Sequence, residues 1–128
     1  MFWKKESKEK KEIKAVNWHE LTDLSQLETI KEQSHKQPVL IYKHSTRCSI
    51  SSMTLGRLER SWNEDLDAVK VYYLDLISYR QVSNAIADVF GVYHESPQVI
   101  LIENGNAIYD DSHMAISAEG IANQIKKG

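Results

Sequence analysis

The chain has 128 residues, which allows one domain around a single sizeable core and leaves no room for a second. Its 16 Lys and Arg against 18 Asp and Glu exclude the strongly basic balance of a nucleic-acid binder, and 41% hydrophobic residues exclude a wholly disordered chain. A single cysteine excludes an internal disulfide and a multi-cysteine zinc site, so any thiol redox chemistry has to be intermolecular.

From Lys4 to Lys14 there are six Lys and three Glu with almost no apolar residue. Such a run cannot help to build a core, so residues 1–12 read as a charged N-terminal tail and 13–128 as the domain. The tail is expected to be solvated rather than a tether anchored by Phe2 and Trp3. No apolar run approaches the roughly 18 residues of a membrane span. Phe2-Trp3 is followed at once by Lys4-Lys5 rather than by the apolar stretch of a signal peptide, and the expected location is the cytoplasm.

A short strand is predicted over Ile13 to Trp18. Ser25 with Glu28 three residues on has the form of a capping box and opens a helix from Gln26 to about Gln33. The run Pro38–Lys43, with proline at its first position, suits a central strand covered on both faces, as does Val69–Leu76. Between them Ile50, Met53, Leu55, Leu58 and Trp62 recur at helical spacing, and Val82, Ile86, Val89 and Phe90 do so farther on. Ser78 is placed to cap that second helix and Gly91 to end it in the left-handed conformation. Pro97–Ile102 is a third apolar strand, Asn104-Gly105 a tight hairpin, and Asn106 to about Asp110 the returning strand. Ser117 then opens a last helix carrying Ile121 and Ile125.

The order is therefore β-α-β-α-β-α-β-β-α. Short right-handed crossovers make the strands mostly parallel, the C-terminal hairpin adds an antiparallel strand at one edge, and helices cover both faces. This is an α/β arrangement similar to the thioredoxin fold.

Cys48 falls between the strand ending near His44 and the helix that carries Met53 and Leu58. The unpaired N–H groups and aligned dipoles of a helix's first turn favour negative charge there, hence thiolate over thiol, and Arg47 adds to that pull. The flanking Ser45, Thr46, Arg47, Ser49, Ser51 and Ser52 are polar, so the thiol is expected to be accessible rather than one more buried apolar group. Ser51, one turn along, is placed to donate a hydrogen bond to the sulfur. His44, at a strand end, is expected to be structural. His113 beside Asp110-Asp111 is expected to be structural or at the surface, since no two histidines have ligand spacing on one element.

The stretch Lys43-His44-Ser45-Thr46-Arg47-Cys48-Ser49-Ile50-Ser51 resembles the active-site segment of the YtxJ-like monothiol bacilliredoxins, in which Cys-Pro-Ile-Ser follows His-Ser-Thr. Trp18, Ser96-Pro97-Gln98, Ser112-His113 and Ile116-Ser117 extend the resemblance over the domain from about Ile13 onward. One departure is Ser49, where that family commonly has proline, which would stiffen the first helical turn. Compared with thioredoxin, Tyr42 takes the place of a buried acid and Ser51 the place of a second cysteine. The fold also implies a cis bond before Pro97, which would leave the backbone of Ser96 free to pair with an extended substrate.

The resemblance implies a monothiol thiol–disulfide exchange protein in which Cys48 takes bacillithiol from S-bacillithiolated proteins. Cys48 and Ser51 are then the catalytic candidates, with Arg47, Thr46, Ser49, Ser96 and Pro97 as thiolate-stabilising or substrate-binding residues. Bacillithiol serves as co-substrate, with no tightly bound cofactor and no metal, and the protein acts as a monomer on thiolated proteins, without nucleic acid or membrane. The alternatives are an iron–sulfur site shared between two chains, as in monothiol glutaredoxins, and a redox-inert thioredoxin-like interaction module. Against the iron–sulfur site, Ser49-Ile50 stands where those glutaredoxins have a glycine after the cysteine.

Overall fold

The computed structural model describes residues 12–127, and the rest of the charged tail read over 1–12 lies outside them. Five strands form one sheet: β1 (His19–Glu20), β2 (Val39–His44), β3 (Lys70–Asp75), β4 (Gln98–Glu103) and β5 (Asn106–Ser112). Among the described residues four α-helices accompany them: α1 (Gln26–Gln33), α2 (Ser49–Ser61), α3 (Arg80–Phe90) and α4 (Ala118–Lys127).

The spatial order is β1-β3-β2-β4-β5. β2 lies in the middle, and every one of its six residues is buried. Alternation along the strand sends Val39 and Ile41 into a core with Leu27, Ile30, Val82, Ile86 and Phe90, from α1 and α3. Leu40 and Tyr42 enter the opposite core, with Leu58 of α2, Trp62 just after it and Ile121 of α4. This two-sided burial is why Val39 to Tyr42 read as an uninterrupted apolar run.

β1 and β2 both run parallel to β3. β4 runs antiparallel to β2, with Gln98 opposite Lys43 and Ile102 opposite Val39, so the crossover reading of parallel strands fails for this one. The physical reason is the connection after α3. Residues 91–97 form neither helix nor strand and return the chain to the end of the sheet where β2 finishes, so β4 starts beside Lys43 and runs back. The predicted hairpin is present: Asn104 (φ 53°) and Gly105 (φ 81°) supply the two left-handed positions that such a turn requires. A register shift between Leu101 and Ile102 leaves Ile108 as an extra residue in β5.

Several local expectations change. The strand expected over Ile13–Trp18 is displaced to His19–Glu20, and Ile13 makes only an isolated bridge to Asn63, because the edge beside β3 is reached only at His19. Ser25 does begin α1, but its side chain makes no capping bond. The side-chain oxygen of Gln26 instead accepts from the N–H groups of Thr22 and Asp23. Tyr79 rather than Ser78 is the N-cap of α3, since the Ser78 hydroxyl donates to Asp75. Gly91 does end α3 in the left-handed conformation (φ 66°, ψ 35°), and Ser117 does cap α4 by accepting from the Gly120 N–H. Among the described residues no helix is long and apolar enough to cross a membrane.

Candidate active site

Cys48 is the N-cap of α2, in extended conformation (φ −108°, ψ 119°), and is partly exposed. Its N–H donates to the carbonyl of Ser45 and its carbonyl accepts from Ser52, so the turn and the helix both fix its backbone. The first-turn amides that favour negative charge therefore lie directly after the thiol. Thr46, Arg47 and Ser49 are exposed around it. Pro97 directly precedes the β4 residue paired with Lys43, which brings it to the end of β2 from which the Cys48 turn departs. The Ser96–Pro97 bond is cis, and the Ser96 hydroxyl is buried without a hydrogen-bond partner.

Ser51 is not where the sequence placed its hydroxyl. The side chain has no exposed surface, and its oxygen accepts from the Ser45 N–H at 3.1 Å and lies 2.7 Å from Nδ1 of His44. The expected bond from Ser51 to the Cys48 sulfur is thus replaced by bonds into the floor of the site. The cause is the end of β2: His44 projects under the first turn of α2 on the same side as Tyr42, and gives Ser51 a closer partner than the sulfur. The Tyr42 hydroxyl donates to the Ser51 carbonyl. Two buried rings, a serine and the turn amide are therefore knitted together beneath Cys48.

That floor is uncharged. Burial lowers the His44 pKa, against the pull of the carboxylates of Asp75 and Glu59, and burial raises that of the Tyr42 phenol despite its bond to Ser51. Trp18 packs edge-on to Tyr42 and Tyr73 and donates its indole N–H to Glu59 at 2.8 Å, closing the floor on the α2 side.

The polar floor also explains the exposed face of α2. Ile50 and Met53, expected in the core, face solvent, and the buried stripe is Ser51, Thr54 and Leu58. The first turn of α2 meets His44 rather than an apolar surface, so its buried position is polar and its apolar side chains lie outward. Met114, also exposed, stands across a shallow groove from Met53.

A third segment completes the rim. His113, in left-handed conformation (φ 55°), donates its N–H to the Pro97 carbonyl and holds its ring 3.6 Å from Glu95. Arg57 of α2 donates to the carbonyls of Met114 and Ile116 and so ties this segment to the helix that begins at Cys48. The sequence brought out Cys48, Ser96 and Pro97 but missed Lys43 and His94, whose side chains meet at 2.7 Å. The available signal was a lysine inside a strand otherwise read as fully buried.

Comparison with known proteins agrees with this fold. The family model for monothiol bacilliredoxin BrxC matches residues 19–121. Among solved structures, a suggested oxidoreductase with a thioredoxin fold superposes with a TM-score of 0.71 at 27% identity, over 87% of this chain and 93% of the other. Thioredoxin Mala s 13 of Malassezia sympodialis gives a TM-score of 0.67 at 17% identity, over 87% of this chain and 90% of the other. Mitochondrial thioredoxin 3 of Saccharomyces cerevisiae gives 0.65 at 15%, over 87% and 95%. The two thioredoxins share the fold.

Proposed function

This chain belongs to the monothiol bacilliredoxin BrxC family, and from that premise we propose that it removes bacillithiol from S-bacillithiolated proteins in the cytoplasm through a mixed disulfide on Cys48. The observation that carries this reading is a lone, partly exposed thiol at the N-cap of α2 with serine, not cysteine, one turn on. In the first step the Cys48 thiolate attacks the bacillithiol sulfur. The S–S bond to the protein breaks, the repaired protein leaves as thiolate, and Cys48 carries bacillithiol.

Ser51 has no sulfur with which to resolve that disulfide, so a second thiol, bacillithiol itself or a partner redoxin, restores Cys48. Free bacillithiol leaves as bacillithiol disulfide, which balances the pair of electrons. Ser96, beside the thiol-bearing turn, supplies main-chain groups for an extended segment of the protein being repaired. Thr46, Arg47 and Ser49 line the approach to the sulfur and meet the charged small thiol.

The test is incubation of the reduced protein with bacillithiol disulfide followed by intact mass measurement. The expected product carries one bacillithiol on Cys48 and persists until a thiol is added, while Cys48→Ser gains no mass. An unmodified Cys48 under these conditions overturns the reading.

A further inference from the structure

Lys43 lies in the central strand and is fully buried, on the same face as Val39 and Ile41. Withdrawing an ammonium from water is costly unless a partner compensates it. Among the described residues no carboxylate lies within ion-pair distance, and the Lys43 Nζ reaches Nδ1 of His94 at 2.7 Å instead. An ammonium can only donate, so Nδ1 accepts and the imidazole proton is left on Nε2. His94 is exposed, in the connection two residues before Ser96. Gln98 holds the same connection on both sides of His94, donating to the Tyr93 carbonyl and accepting from the Glu95 N–H. Desolvation of the covered edge of the ring and the charges of Lys43 and Arg80 lower its pKa against the opposing pull of Glu95, and so favour the neutral imidazole.

We propose that His94 is a substrate-contacting hydrogen-bond donor and Lys43 its positioning residue: the buried ammonium fixes the Nε2–H tautomer, and that N–H is offered to a main-chain carbonyl of the thiolated protein held along Ser96. The proposal rests on the exchange reading above for its substrate and deepens it by assigning a protein-recognition residue that small disulfides do not need.

Two measurements test it. Imidazole nitrogen chemical shifts of the labelled protein at neutral pH are expected to report the Nε2–H tautomer for His94, and Lys43→Met, which removes the donor to Nδ1, is expected to give a tautomer mixture. In kinetics, His94→Ala and Lys43→Met each lower kcat/KM for a thiolated protein about fivefold to tenfold, mainly through KM, as befits one hydrogen bond. Reaction of Cys48 with a small aromatic disulfide stays within about twofold. His94→Gln, whose amide retains an outward N–H, restores most of the loss. An Nδ1–H tautomer in the unaltered protein, equal slowing with both substrates, or no slowing with either overturns the proposal. Failure of Cys48 to react with any disulfide overturns the exchange reading instead, and the tautomer measurement is independent of it.

Discussion

Replacing Lys43 by methionine is expected to make the protein more stable at neutral pH. Burial takes the Lys43 pKa from the usual 10.5 down to about 8, against a small opposing effect of Glu95. At about 1.4 kcal/mol per pH unit, that lowering is about 3 kcal/mol by which the native fold disfavours the ammonium. Methionine has a similar volume and no charge, and gives up one hydrogen bond worth about 1 kcal/mol, which leaves a net gain of about 2 kcal/mol at pH 7. The pH dependence follows from which state holds the proton. Between pH 8 and 10.5 the unfolded chain keeps the Lys43 proton that the native protein has lost, so the native protein gains stability as pH rises through this window. The methionine variant lacks this rise. Burial raises the pKa of Tyr42, Tyr72 and Tyr73, and burial with the Asp111 carboxylate takes that of Tyr109 up to about 12, so both proteins lose stability above about pH 10. Urea unfolding at intervals from pH 7 to 9.5 therefore isolates Lys43. The advantage of the variant should hold near pH 7 and shrink from about pH 8 upward. A variant less stable than the parent at pH 7, or two parallel stability curves, refutes the reasoning.

Three further substitutions probe the site's supports. Ser49 is the first residue of α2, and Cys48 before it already has the extended conformation that a following proline requires, so Ser49→Pro should stabilise by about 0.5–1 kcal/mol, read as a higher urea midpoint at unchanged slope. Ser51→Ala strands the half-buried Ser45 N–H and removes the partner of the buried His44, and should cost about 2 kcal/mol with faster amide exchange at Cys48, whose N–H bonds the Ser45 carbonyl. Arg57→Ala deletes two bonds to the carbonyls of Met114 and Ile116, with an expected loss of about 1–2 kcal/mol in denaturant and increased exchange in residues 113–116.

Much of the fold was legible because its signals are local. The Asn104-Gly105 turn, the left-handed end of α3 at Gly91 and the cap at Ser117 each depend on residues within a few positions, and all three stand where the sequence put them. The apolar runs of β2 and β4 likewise reported burial on both faces. The placing of Cys48 just before a helix was equally plain, because it needed only the end of one periodicity and the start of another.

What the chain determined by itself was therefore the order of its elements, the bounds of most of them but not of β1, and the place of its one thiol between a strand and a helix. The tertiary structure decided the rest: the antiparallel entry of β4, the inward turn of Ser51 onto His44, the solvent-facing Ile50 and Met53, and the contact of Lys43 with His94 across fifty-one positions of sequence. Each of these depends on which side chain a residue meets after distant segments pack. Periodicity tells which face of an element is buried but not what lies beneath it, and beneath the first turn of α2 the sheet presents an imidazole and a phenol rather than an apolar surface.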